Sequence, residues 1–153
     1  EGMPDEEVRQ QLLLTLFEWK EPKSIPSLRR ELDRASTSLP HRMMAARALN
    51  AMGQDVSPWL QGLAKAYLKA PGESCQDLGL VLQTMFQVRM PRTTIWLVRA
   101  RSLKACASEQ ETLLIAALQG ASSPAARTWV RAMTQSTSRR VRIAAHRVLE
   151  ALP

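Results

Sequence analysis

The sequence predicts an all-α fold made of repeated helix pairs, and three observations support this prediction. Apolar residues recur at intervals of three and four along most of the 153 residues, which is the spacing of one face of a helix. Pro26, Pro58, Pro91 and Pro124 follow one another at intervals of 32, 33 and 33 residues. Eight residues of an early segment reappear 100 positions later in the last segment, and these are Ser36, Thr37, Ser38, Arg42, Ala45, Arg47, Leu49 and Ala51. One interval shared by eight pairs indicates an internal repeat.

The first predicted element is a helix over about residues 5–19. Asp5 is a favourable N-cap residue, and Pro22 ends the helix. Val8, Leu12, Leu16 and Trp19 would form one apolar stripe at helical spacing. This helix has no partner of its own, so we expect residues 1–22 to cap the first repeat.

Four helix pairs follow over residues 24–153. The first helices of the pairs are predicted to begin near Ser24, Ser57, Arg92 and Ser123, and the second helices near Pro40, Ser74, Ser108 and Arg139. Each second helix carries an apolar triplet, such as Ala48, Leu49 and Met52 in the first pair. One pair cannot bury its apolar face alone, whereas stacked neighbours share a continuous core. We therefore predict a single domain over residues 1–153.

The second helices of the first and last pairs resemble HEAT-like repeats of the short bacterial type. Residues 141–149, VRIAAHRVL, contain the Val-Arg, the paired alanines and the leucine of that family, and residues 42–49, RMMAARAL, are similar. The resemblance covers residues 24–153, although LGLV and TLLI replace the motif in the two middle pairs. It implies a right-handed α–α superhelix, or solenoid, of four HEAT-like helix pairs plus the N-terminal capping helix. A repeat of about 33 residues also fits tetratricopeptide repeats, but their Trp, Gly and Tyr pattern does not align here.

Positive charge is concentrated in the second half of the chain. Residues 1–85 hold 10 Lys and Arg against 11 Asp and Glu, a net charge of −1, whereas residues 86–153 hold 11 against 3, a net charge of +8. A basic half can bind an acidic protein surface or phosphates. The candidate basic face consists of Arg127, Arg131, Arg139, Arg142 and Arg147. A solvated, arginine-rich surface without a partner explains the same residues.

A second candidate surface lies in the middle repeats. Leu80 and Leu113 occupy the repeat position that is Arg47 and Arg147 in the outer pairs. An apolar centre between basic ends would suit a groove for an amphipathic partner segment. The alternative is a thicker core, because central repeats are covered on both sides.

No residue pattern predicts an active site, a metal site or a cofactor. His41 and His146 have no Cys, Asp or Glu at ligand spacing, and the chain has no glycine-rich phosphate loop and no nucleophile with a paired base. Some HEAT-like proteins are iron enzymes with His-Glu pairs, which this chain lacks. Others are alkylpurine DNA glycosylases with Trp and Asp on a basic concave face. We expect the four tryptophans here, Trp19, Trp59, Trp96 and Trp129, to pack in the core instead.

Cys75 and Cys106 are too few for a disulfide framework or a metal site, so we expect free, reduced thiols. They lie about one repeat apart, and a cross-repeat disulfide in an oxidising compartment is the alternative. No apolar run approaches the roughly 20 residues that span a bilayer. The N-terminal residues lack the pattern of a signal peptide. These observations favour a cytoplasmic location.

The sequence thus favours a non-enzymatic scaffold or adaptor that binds another protein through a solenoid surface. The expected partner has an acidic or amphipathic binding segment. The alternative is a nucleic-acid-binding HEAT-like module that uses the basic C-terminal half. A glycosylase of the DNA-repair kind is a third hypothesis, for which the residues assemble no site.

Overall fold

The computed structural model describes residues 8, 11–12, 15, 18–19, 21–69, 75–121 and 126–151, and these residues form helices and turns without a strand. The all-α prediction is therefore confirmed for the described part of the chain. From residue 25 onward, the α-helices of the described residues are α1 (Ile25–Asp33), α2 (Leu39–Ala51), α3 (Ser57–Lys69), α4 (Cys75–Gln87), α5 (Thr93–Arg101), α6 (Gln110–Gly120), α7 (Arg127–Met133) and α8 (Arg139–Ala151). Two 3₁₀ segments, Pro22–Ser24 and Lys104–Glu109, precede α1 and α6. The chain divides into two compact units, Glu1–Val56 and Ser57–Pro153.

In the first unit, α1 packs against α2. Leu28 and Leu32 of α1 are buried against a face of α2 that alternates large and small side chains. The buried residues of α2 are Met43, Ala45, Ala46, Ala48 and Leu49. The alanines add little bulk, so the two helices can approach closely while the larger side chains fill the core.

The second unit is built around three helices that lie side by side. Helix α4 contacts α6, and α6 contacts α8. The other helices of the unit cover this row, since α3 packs against α4, α5 against α4 and α6, and α7 against α8. The core contains Val81, Leu82, Met85, Leu118, Val130 and Val141, each at most 1% exposed. Each of the four predicted helix pairs is thus present as two helices in contact.

Helices α4 and α6 approach each other closely at Gly120. A Cβ added to Gly120 would lie 2.9 Å from the Cα atom of Gln83 and closer still to its carbonyl oxygen. Backbone atoms cannot move aside as a flexible side chain can, so glycine is required at this crossing. Gly120 is therefore a packing residue as well as the end of α6.

Helices α2 and α4 end with the same type of backbone hydrogen bond, but different residues adopt the left-handed conformation there. After α2, the N–H of Gln54 donates to the carbonyl of Leu49, and Gly53 between them has a φ of +81°. After α4, the N–H of Met90 donates to the carbonyl of Met85, and Arg89 has a φ of +56°. Glycine adopts this left-handed conformation freely, whereas a residue with a Cβ loses about 1–2 kcal/mol.

The tryptophans differ in their surroundings. Trp96 is 8% exposed, and half-buried Trp129 stacks on Phe86 with ring centroids 5.0 Å apart. Trp59 is also half-buried. Trp19 is 70% exposed, so the expectation that it packs in the core is wrong.

The apolar stripe around Trp19 is exposed as well, since Val8 is 50% and Leu12 54% exposed. Val8, Leu12 and Trp19 are each helical, but helical spacing cannot show whether a neighbour covers the face on which they would lie. Most of the predicted capping helix over residues 5–19 lies outside the described residues.

Cys75 and Cys106 form a disulfide, so the expectation of free thiols is wrong and the cross-repeat alternative is confirmed. Cys75 begins α4, and Cys106 lies in the 3₁₀ segment just before α6. The two cysteines thus lie at or shortly before the starts of neighbouring second helices, and their Cα atoms are 5.5 Å apart. Both are buried, at 5% and 1% exposure.

Candidate functional site

A groove with a volume of about 290 Å³ lies between α6 and α8 of the second unit. Its lining residues are Ile115 and Gln119 of α6 and Arg140, Ile143, Ala144, Arg147 and Val148 of α8. The floor is aliphatic, while two arginines and a glutamine supply the polar groups. Sites for drug-sized ligands range from about 300 to 1,000 Å³, so the volume of this groove lies just below that range.

The spacing along α8 explains how the groove is formed. Arg140, Ile143 and Arg147 recur at intervals of three and four, which places them on one face of the helix. Val141 and Ala145 are fully buried on the adjoining face. One side of α8 therefore completes the core, and the next side faces the groove, where Ile143 is 42% exposed.

Arg140 forms an ion pair between the two helices that border the groove. Its Nε atom lies 3.3 Å from Oε1 of Glu111 on α6, and the two side chains are 78% and 39% exposed. An ion pair this exposed contributes less than about 1 kcal/mol, because water screens it. The carboxylate of Glu111 can therefore be exchanged for another anion at little cost.

Arg147 lies seven residues after Arg140 on the same face of α8, at the other end of the groove lining. Its side chain is exposed. Within the part of the chain that the structure describes, its guanidinium has neither an ion pair nor a hydrogen bond. The groove thus has one arginine paired with a carboxylate and one with no ion pair to any residue that the structure describes.

Among the other residues of the candidate basic face, Arg142 serves the fold. It is half-buried, and its Nη1 atom donates to the carbonyls of Ser136 and Thr137 at 2.7 and 3.1 Å. Its counterpart in the first unit, Arg42, donates in a similar way to the carbonyl of Leu32 at 2.9 Å. Both arginines thus bind backbone carbonyls of a preceding segment, although the accepting residues are not equivalent in the repeat.

The remaining three predicted arginines lie outside the groove lining. Arg127 is half-buried at the start of α7, whereas Arg131 and Arg139 are exposed. The structure therefore brings only Arg147 of the five predicted residues into the groove. It adds Arg140, which is not one of the five residues of the candidate basic face.

The repeat position of Arg147 is used differently in the first unit. Arg47 is half-buried in α2, and burial lowers the pKa of its guanidinium. Arg147 is exposed on α8. A repeat position that is partly enclosed in one unit is therefore at the surface in the other.

The two leucines predicted to line an apolar groove are elsewhere. Leu113 is 1% exposed and lies in the core, where no partner can reach it, and Leu80 is half-buried. The apolar side chains that line the groove are instead Ile115, Ile143 and Val148. Ile115 lies on α6, and only its position relative to α8 places it in the groove.

Histidine, cysteine and carboxylate side chains of the described residues form no group of three or more that could hold a metal ion. His41 is hydrogen-bonded through Nδ1 to the hydroxyl of Ser38, and His146 is exposed. No helix within the described ranges is both long and apolar enough to cross a membrane.

Comparison of the chain with protein-family models, with curated proteins and with solved structures finds no match. The similarity of residues 42–49 and 141–149 to HEAT-like repeats therefore stays a prediction.

Proposed function

We propose that this protein is a non-enzymatic interaction module whose groove between α6 and α8 binds a segment of a partner protein. The observation that supports it most directly is the position of Ile143, which is 42% exposed between two arginines on the same helix face. A partner that covers apolar surface stabilises the complex by about 25 cal/mol for each Å² removed from water. Apolar patches with a polar rim are typical of protein-binding sites.

The scaffold in this proposal is the right-handed α–α superhelix of HEAT-like helix pairs. The contact of α4 with α6 and of α6 with α8 supports it, because stacked second helices are the basis of such repeats. Packed helices hold the groove in one shape, which lowers the entropy lost on binding.

Nucleic-acid binding is the second candidate function, and the exposed Arg131 and Arg139 favour it. Binding of single strands normally adds aromatic side chains on which bases stack. The aromatic residues of the basic half are Phe86, Trp96 and Trp129, of which the first two are at most 8% exposed and the third stacks on the first. The apolar groove therefore suits a protein segment better than a nucleic acid.

The cytoplasmic location stays a prediction, and the disulfide between Cys75 and Cys106 weighs against it. Disulfides persist in oxidising compartments and are rare where cellular thiols are kept reduced. A binding module outside the reducing cytoplasm is consistent with this bond.

The test is the selection of peptides from a displayed random library on the folded protein, followed by affinity measurements with two variants. Ile143→Asp places a charge on the groove floor, and we expect it to weaken the selected peptides about tenfold or more. Ile95→Asp is the matched control, because Ile95 is 47% exposed on α5 of the same unit and does not line the groove. It should bind as the wild type does.

Two outcomes would overturn the proposal: selected peptides that bind Ile143→Asp as tightly as the wild type, or a library that yields no binder. Far-UV circular dichroism shows whether Ile143→Asp is folded. If it is not, Ile143→Gln has the same expected direction of effect and adds no charge.

A further inference from the structure

We infer that the partner segment is an acidic amphipathic helix whose carboxylates pair with Arg140 and Arg147, and that Glu111 holds Arg140 until the partner displaces it. This inference rests on the proposed function of the groove and names the chemistry of its occupant.

The charges around the groove select an acidic occupant. Both cations of the lining lie on α8, and Arg140 is paired with the carboxylate of Glu111 on α6. Residues 86–153 as a whole carry 11 Lys and Arg against 3 Asp and Glu. A partner carboxylate at Arg147 meets a guanidinium with no ion pair among the described residues. At Arg140 it replaces Glu111 in an exposed pair, which loses little.

The spacing of the two arginines selects a helix. Arg140 and Arg147 are seven residues apart, which corresponds to about 10.5 Å along α8 at 1.5 Å for each residue. A partner helix lying along the groove has the same rise, so glutamates seven residues apart reach both arginines. The partner residues three and four positions after the first glutamate then face Ile143 and Ala144.

The size of the groove agrees with this occupant. A volume of about 290 Å³ with an aliphatic floor accepts the apolar side chains of a docked segment, while the rest of that segment stays outside. Ala144 contributes a small side chain to the lining, which leaves room for a branched aliphatic residue of the partner. The partner thus needs an apolar pair in the centre and an acidic residue on each side.

The experiment uses fluorescence anisotropy with two labelled synthetic helical peptides. The acidic peptide has two glutamates seven residues apart with a leucine pair between them, and the second peptide has lysines in place of those glutamates. We expect the wild-type protein to bind the acidic peptide about tenfold more tightly or better, because the lysines would meet two arginines. If the wild-type protein binds the lysine peptide as tightly as the acidic peptide, or binds neither, the inference is overturned.

Substitutions on α8 and α6 locate the charges. We expect Arg140→Gln and Arg147→Gln each to weaken the acidic peptide about three- to tenfold. Glu111→Gln should strengthen it about threefold, because the intramolecular competitor is lost. Arg139→Gln is the matched control, since it removes the same charge from the same helix outside the groove lining. It should change the affinity less than about twofold, as screening weakens distant charges.

The outcomes separate this inference from the proposed function. Suppose that Ile143→Asp abolishes binding of selected peptides while Arg140→Gln and Arg147→Gln leave the affinity for the acidic peptide unchanged. In that case the groove binds a partner, and the inference that the partner is an acidic helix is wrong. If Ile143→Asp also has no effect, both fail. An Arg139→Gln effect as large as that of Arg147→Gln would show general charge attraction and overturn the inference. Competition by a DNA oligonucleotide that depends on Arg139 would favour nucleic acid instead.

Discussion

Replacement of both Cys75 and Cys106 by alanine removes the disulfide that closes a long loop. The two cysteines are 31 residues apart in the sequence, and the loop between them contains α4 and α5. In the chain-entropy description, a closed loop of this length lowers the entropy of the unfolded chain by about 12 cal/mol/K, which corresponds to about 3.7 kcal/mol at 25 °C. The double variant should therefore be less stable than the wild type by about this amount.

Thermal unfolding followed by circular dichroism measures the effect. A loss of about 3.7 kcal/mol lowers Tm by about 7–15 °C in a chain of this size. Reductant should destabilise the wild type to a similar degree and leave the double variant unchanged, which serves as the control. Titration of the unfolded, unreduced wild type with a thiol reagent should find no free thiol. Two titratable thiols, together with a Tm that reductant does not change, would refute the reasoning.

Three further predictions about the backbone and the packing follow from the same structure, and urea unfolding tests each of them. Gly120→Ala should lower the free energy of unfolding by about 1–3 kcal/mol, because the new Cβ would overlap the Gln83 backbone. Gly62→Ala is the matched control. Its new Cβ has nothing within 4 Å, so this substitution should raise the free energy of unfolding by up to about 1 kcal/mol. An equal effect of the two would contradict the close approach of α4 and α6. Arg89→Gly should stabilise the protein by about 1 kcal/mol, since φ is +56° at that residue, and a loss of stability would show that the Arg89 side chain matters more than its backbone. Ser138→Ala should destabilise α8 by about 1 kcal/mol, because the serine Oγ accepts a hydrogen bond from the N–H of Val141 at 3.3 Å, and an unchanged midpoint would argue against this cap.

The sequence predicted where the helices begin, but it did not predict which elements pack against each of them. Pro40, Pro58 and the apolar spacing placed helix starts near those observed, because these signals act locally through backbone geometry and hydrogen bonding. Burial of Trp19 could not be predicted in the same way. Its helical spacing shows which residues share its face, whereas exposure depends on whether another element covers that face.

The candidate site required the relative position of two helices. Arg147 was predicted from charge alone, but its neighbours in the groove, Ile115 and Arg140, come from helices whose packing no local pattern specifies. Arg142 seemed equivalent to Arg147 in charge and differs in use, since its guanidinium is bound to the carbonyls of the preceding turn. The disulfide belongs to the same class of feature, because it depends on which repeats are adjacent.

The central claim is that the groove between α6 and α8 binds a partner segment, and the four isoleucines of the chain test it directly. Ile115 and Ile143 line the groove, whereas Ile25 and Ile95 do not. Selective labelling of isoleucine δ1 methyl groups gives one NMR signal for each residue, and a peptide selected on the protein is titrated into this sample. We expect the signals of Ile115 and Ile143 to shift and those of Ile25 and Ile95 to stay in place. Shifts confined to Ile25 or Ile95 would contradict the claim.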